Sequence, residues 1–250
     1  MNVIEGLAGF ILVVLCAVMM LIFMWVYRKR QLYNLRAISM FNNLRQAIGL
    51  AVEDGSRLHV SLGKASLNIP QMASSLVGLV VLQRIAQLSS ISDSPPIATS
   101  GDGGLAILSQ DTLRATYRSL NAADLYDPDR GQMSGPTPMS YIAGALATIH
   151  DDSVTGNIII GNFGPEVALL ADASEQQNAA TLAGSDSLPA QAVLFATARD
   201  PLIGEEVFAS GAYLQAGGSH PASLRVQDVL RWMVVIALIV GAILKLVKWL

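Results

Sequence analysis

One cysteine, Cys16, stands among 250 residues, so no disulfide can form within the chain. Aromatic residues make up 6% of the composition, too few to suggest the stacking platforms that hold single-stranded nucleic acids. Lys and Arg number 16 against 19 Asp and Glu, and the formal charge of −3 offers no basic stripe for a duplex phosphate backbone. Nucleic acid is therefore not an expected partner. The three histidines, His59, His150 and His220, fall at no spacing that completes a metal-ligand set. His150-Asp151-Asp152 brings ligating types together, but neighbours at the end of a helix do not converge on one ion. No Gly-x-Ser-x-Gly elbow, Cys/His pair or zincin motif occurs. The sequence thus assigns no catalytic residue, no metal site and no cofactor.

Charge is also scarce, at 14% of residues against 52% hydrophobic, and its absence is concentrated at the two ends. Residues 6–27 carry no charge at all. A helix of that length, at about 1.5 Å per residue, crosses a hydrocarbon core of about 30 Å. The run is longer than the apolar part of a signal peptide, its positive cluster follows instead of preceding it, and no small-residue cleavage site comes after. A second apolar stretch, from about Val229, closes the chain. The expected layout is an N-terminal membrane helix over residues 1–27, a helical stalk over 28–54, an α/β domain over 55–227 and a C-terminal membrane helix over 228–250. The lipid bilayer is accordingly the first expected partner. Arg28, Lys29, Arg30, Arg36 and Arg45 follow the first span and Glu5 alone precedes it. The bias of basic residues places the N-terminus outside and the central domain in the cytoplasm. Lys245 and Lys248 count against a C-terminus outside unless they snorkel from the last turns; a helix lying in the interface is the alternative.

Between the spans, strand and helix patterns alternate. Leu35, Ile38, Phe41, Ile48 and Val52 recur at helical spacing, and Gly55 suits a helix end. Residues 57–62 (RLHVSL) alternate as a half-buried strand does. A helix over 71–90 is predicted to open at Pro70. Residues 94–104 (SPPIATSGDGG) read as a short strand followed by a glycine turn, Ser100-Gly-Asp-Gly-Gly104, and lead to a helix from Leu105. Residues 126–137 read as a long loop and 139–149 as a helix. Residues 156–160 follow as a buried strand, with a helix from Pro165 to about Gln177. Residues 181–184 form a further short strand, 188–198 suit helix or strand, and Asp200 is expected to cap a helix over 201–214. Alternation of this kind predicts an α/β fold with a mainly parallel sheet flanked by helices.

Two glycine turns are candidate binding sites. Residues 158–166 (IIIGNFGPE) place Gly161 and Gly164 between a buried strand and a helix start, where amides can hold an anion. Pro165 removes one donor, however, and Glu166 puts a carboxylate at the same end. Gly101 and Gly103 flank Asp102, a possible ribose or metal contact and equally a turn residue. Glu205 and Glu206 could pair as acid and base, but adjacent helical residues diverge by about 100°.

Three stretches, AIGLAVEDGSRLHVSLG over 47–63, LIGEEVFASGAYL over 202–214 and QDVLRWM over 227–233, resemble an uncharacterised bacterial membrane family, a domain of unknown function with a span at each end. The resemblance extends from about Leu35 to Met233. It implies the anchor–domain–anchor layout and assigns no activity. Small residues (Gly6, Ala8 and Gly9 in the first span, Gly241 and Ala242 in the second) permit close helix approach. The expected role is a structural or interaction protein that self-associates into a membrane-bound homo-oligomer; no residue pattern supports catalysis, and the enzyme question stays open. A membrane-tethered domain that binds a small ligand or nucleotide is the alternative.

Overall fold

The computed structural model describes residues 3–28, 35–66, 69, 71–90, 92, 94–151 and 154–246. Lys29, Arg30, Pro70, Asp152 and Lys248, used above, lie outside the described residues. The chain divides into two compact units, residues 36–214 and the two ends taken together.

In the terminal unit, α1 (Val3–Arg28) packs along the last helix, Ser219–Leu246. Both are long and apolar enough to cross a membrane, with mean hydropathy of 2.9 over Gly9–Val26 and 2.3 over an 18-residue window within Ser219–Leu246. Large apolar side chains such as Phe10, Trp25, Trp232 and Leu238 face outward from this unit, as lipid-facing residues do. The last helix starts well before Val229, so its first turns carry polar residues such as Gln227 and Asp228 ahead of the apolar run.

The central unit contains α2 (Ser39–Asp54), β1 (Arg57–Gly63), α3 (Met72–Leu88), β2 (Ile97–Ser100), α4 (Gly103–Ser119) and β3 (Gly131–Met133). It continues with α5 (Pro138–Asp151), β4 (Val154–Asn162), α6 (Ala168–Gln176), β5 (Ala180–Ser185), α7 (Leu188–Thr197), β6 (Asp200–Leu202) and α8 (Glu206–Tyr213), after which Ser219–Leu246 is α9. The six strands form one sheet in the order β3-β2-β1-β4-β5-β6, with every pairing parallel. Helices cover both faces, as an all-parallel sheet requires. Leu58, Val60 and Leu62 of β1 and Ile158 and Ile160 of β4 join α2, α3, α4 and α8 in one core. The alternate residues Ile159 and Ala183 meet α5, α6 and α7 in the other. This period-two division follows from the pleat.

Four expectations are corrected. No continuous stalk runs over 28–54: residues 35–38 are not helical, and α2 buries Met40, Phe41, Leu44, Ile48 and Ala51 in the first core. The same spacing that suggested a stalk is the apolar face of a domain helix. Strand β1 is buried on both faces, because His59 and Ser61 lie under the second helix layer instead of facing water. The long loop contains the edge strand β3. Residues 200–202 are strand β6, and α8 begins only after Gly204. Pro201 is tolerated there because an edge strand needs no donor on its outer side.

The two ends of the central unit are clasped together. Tyr213 donates its hydroxyl proton to the Arg36 carbonyl at 2.6 Å and stacks on Phe41 with ring centroids 4.5 Å apart. Arg45 donates to the Tyr213 carbonyl at 3.1 Å, and Arg36 pairs with Glu206 at 3.0 Å. Both connections to the terminal helices therefore leave this unit from one place.

Candidate functional site

In open α/β sheets, ligands bind outside the carboxyl ends of the strands where the order reverses. Here that position lies between β1 and β4. It collects Gly63 and Lys64 after β1, Gly101 and Asp102 after β2, Asn162 to Glu166 after β4, and Asp186 after β5. The sequence candidates Gly101, Gly103, Gly161 and Gly164 all fall on this edge.

Among the described residues, backbone contacts narrow the crevice. Gly63 has φ +79°, and a Cβ there would collide with the Asn162 backbone. A Cβ on Gly161 would collide with the Leu62 carbonyl. These glycines let two backbones touch; they do not form a cradle around empty space. The Lys64 amide donates to the Asn162 carbonyl at 3.0 Å and the Gly101 amide to the Gly63 carbonyl at 2.8 Å, stitching three loops together. Gly103 opens α4, and Asp102 caps that helix, accepting from the Leu105 amide at 3.1 Å.

Glu166 supplies the anion that the helix start could otherwise attract. Its carboxylate accepts from the Gly164 amide at 3.1 Å and from Lys64 Nζ at 2.9 Å. Both side chains are largely covered. Burial alone would push the Glu166 carboxyl up. The hydrogen bond from Lys64, those from the backbone amides and the Lys64 charge outweigh it and hold the group below its ordinary value. Alongside, Asn162 Nδ2 donates to Asp186 at 2.8 Å.

Beneath this edge runs a buried polar chain. Asn157 Nδ2 donates to Ser174 Oγ at 2.7 Å, and Ser174 donates to the Leu170 carbonyl at 2.8 Å. Asn157 Oδ1 can then only accept, so His59 Nδ1 carries the proton between them at 2.8 Å. With a neutral ring, His59 Nε2 accepts from the Thr99 hydroxyl at 2.8 Å, and Thr99 accepts from Tyr141 at 3.4 Å. The Gly63 amide donates to Tyr141 at 3.4 Å. Burial pushes the Tyr141 phenol up, against hydrogen bonds with Ser61, Thr99 and Gly63 that pull it down. Bonds run in one direction from Gly63 to Leu170, pinning α5 and α6 to the sheet.

The other sequence candidates do not join this edge. His150 Nδ1 bonds the Leu146 carbonyl within its own helix at 2.8 Å. Glu206 is engaged by Arg36, and Glu205 precedes it at the start of α8. Among the described residues, no three His, Cys, Asp or Glu side chains are placed to share a metal ion. Lys64, Asn162 and Asp186 were not singled out from the sequence. The one signal for them was a Gly-Lys pair directly after a strand.

A family model described as "Domain of unknown function (DUF6754)" matches residues 2–250. The chain belongs to this family. No curated protein and no solved structure matches it. Membership agrees with the resemblance carried by the stretches at 47–63, 202–214 and 227–233, and it brings no activity with it.

The Lys64–Glu166 pair makes a pH-dependent contribution to stability. An unfolded glutamate titrates near pH ~4.3 and the native group lower, so the contribution is complete above that pH and fades as pH falls through the native value. Lys64→Met is expected to cost about 1–3 kcal/mol at pH 7 and to flatten this acid dependence. Thermal unfolding in detergent at pH 7 and at pH 4 checks both. Equal midpoints for variant and wild type at pH 7 would contradict the assignment.

Proposed function

We propose that the chain is a membrane-anchored interaction protein that assembles laterally with copies of itself. The observation that carries this reading is the sealed carboxyl edge: the crevice where a doubly wound sheet takes a nucleotide is filled by Glu166 and by backbone-to-backbone contact of β1 with β4. Two candidate spans and a clasp joining Arg36 to Tyr213 support tethering from one place. Copies tethered in one plane meet at raised effective concentration, so modest contacts suffice for assembly. In mild detergent the particle is expected at a multiple of 26.5 kDa after subtraction of the micelle. Native mass spectrometry giving one chain per particle in two detergents would overturn the reading.

The ligand-binding alternative has one specific observation in its favour, the strand order itself, which is that of dinucleotide-binding sheets. An open groove of about 650 Å³ also lies at the opposite, amino edge, lined in part by Leu50, Asp54, Glu175 and Arg199. Its walls mix both charges around alanines and converge on no point, so it defines no ligand class.

The orientation that fits the basic residues Arg28, Lys29, Arg30, Arg36 and Arg45 puts the N-terminus outside and the central unit in the cytoplasm. A cysteine at exposed Asp129 should then resist a membrane-impermeant maleimide on intact cells and react after permeabilisation. Labelling on intact cells reverses the orientation.

A further inference from the structure

Helix α7 (LPAQAVLFAT) contains no charged residue. Its inner side buries Ala190, Gln191 and Leu194. Its outer side is apolar as well: Leu188 is 78% exposed and Phe195 71%, with Pro189, Ala192 and Ala196 exposed beside them. At ~100° per residue these five positions span an arc of about 120° centred on Ala192. Surface helices normally place charge on such an arc. Asp186 stands just before the helix and Arg199 just after it.

We propose that this face is a contact between two copies of the chain, related by a twofold axis that crosses α7 at Ala192. The proposal rests on the self-association reading and names its surface. Three features select a second copy as the occupant. First, the face is self-complementary in shape. An antiparallel pair centred on Ala192 sets each Leu188 against the partner copy's alanine at 196 and each Phe195 against its proline at 189, a large side chain meeting a small one each time. Second, it is self-complementary in charge. The Asp186 end of one helix lies beside the basic end of the other, twice, and the two helix dipoles oppose. Third, the area is small. A strip about 15 Å long and 10 Å wide falls well short of the ~800 Å² per partner of a free-standing interface. Only a partner already held close by could use it, and tethered copies of this chain meet that condition.

The test uses the full chain in native membranes, with Cys16→Ser removing the single natural thiol. Ala192→Cys should give a disulfide-linked dimer on mild oxidation, because the axis brings the two positions together. Ala115→Cys, exposed on α4 in the other helix layer, should not. Leu188→Glu with Phe195→Glu should reduce crosslinking at residue 192 by roughly tenfold or more. An unchanged circular-dichroism melt would show that those variants still fold. Asp186→Arg and Arg199→Glu should each weaken crosslinking and together restore it, which a parallel or heterologous contact would not do. A particle of several chains with no crosslink at 192 overturns this surface and leaves self-association standing. A single-chain particle overturns both. Accessibility of a spin label at 195 to lipid-dissolved oxygen would mean that the bilayer covers the face, and a 192 crosslink to a protein of another mass would mean a different partner; either result overturns the proposal.

Discussion

Two backbone segments, the end of β1 at Leu62–Gly63 and the end of β4 at Gly161–Asn162, touch so closely that neither glycine could carry a side chain. This contact governs the site. In a doubly wound sheet the loops after these strands diverge to opposite faces and leave a crevice. Here α3 and α6 do depart to opposite helix layers, yet the Lys64 amide remains bonded to the Asn162 carbonyl. The space above is spanned by the Lys64–Glu166 pair. A phosphate could enter only by displacing an internal carboxylate from its amide and its lysine, and breaking a partly buried charged pair costs a few kcal/mol. The strand order is that of nucleotide-binding sheets, and the Lys64–Glu166 pair occupies the place such sheets use.

A buried chain of polar groups lies directly under that contact. Gly63, Tyr141, Thr99, His59, Asn157, Ser174 and Leu170 each have a partner, so none incurs the cost of an unsatisfied buried polar atom. Because the chain begins at the Gly63 amide, the closed edge and the polar interior stabilise one another. On the other side of the sheet the core is mainly apolar, built largely from leucines, isoleucines and valines of β1, β4 and α3, with the buried Ser75 hydroxyl donating to the Leu62 carbonyl. One helix layer is thus held by oily packing and the other partly by directional bonds. The clasp at Tyr213 then brings the two ends of the central unit together.

Much of the architecture was legible because it depends on period and punctuation. The uncharged run at 6–27, the alternation of strands with helices and the opening at Pro165, a 3-10 turn that leads into α6, all point to elements the structure contains. What misled was context. The spacing of Phe41, Leu44 and Ile48 marks an apolar face without saying what covers it, so a core helix resembled a stalk. His59 and Ser61 alternate with leucines as solvent-facing residues do, and only the second helix layer buries them. Asp200-Pro201 imitates a helix cap, while the residues that decide for a strand are its neighbours in β5. At the site, Gly161 and Gly164 were recognisable as a turn, and Glu166 as a competitor for the helix start. Lys64 is about a hundred residues away in sequence, and no local pattern links it to Glu166.

Amide hydrogen exchange at Lys64 and Gly101 measures the closed edge most directly. If β1 and β4 are sealed as described, both amides should exchange only in large-scale opening of the central unit, at rates comparable to the core amides of β4. Millimolar ATP or NAD should leave those rates unchanged. Fast exchange of both amides in the free protein, slowed on adding either nucleotide, would contradict the account and return the crevice to use as a binding site.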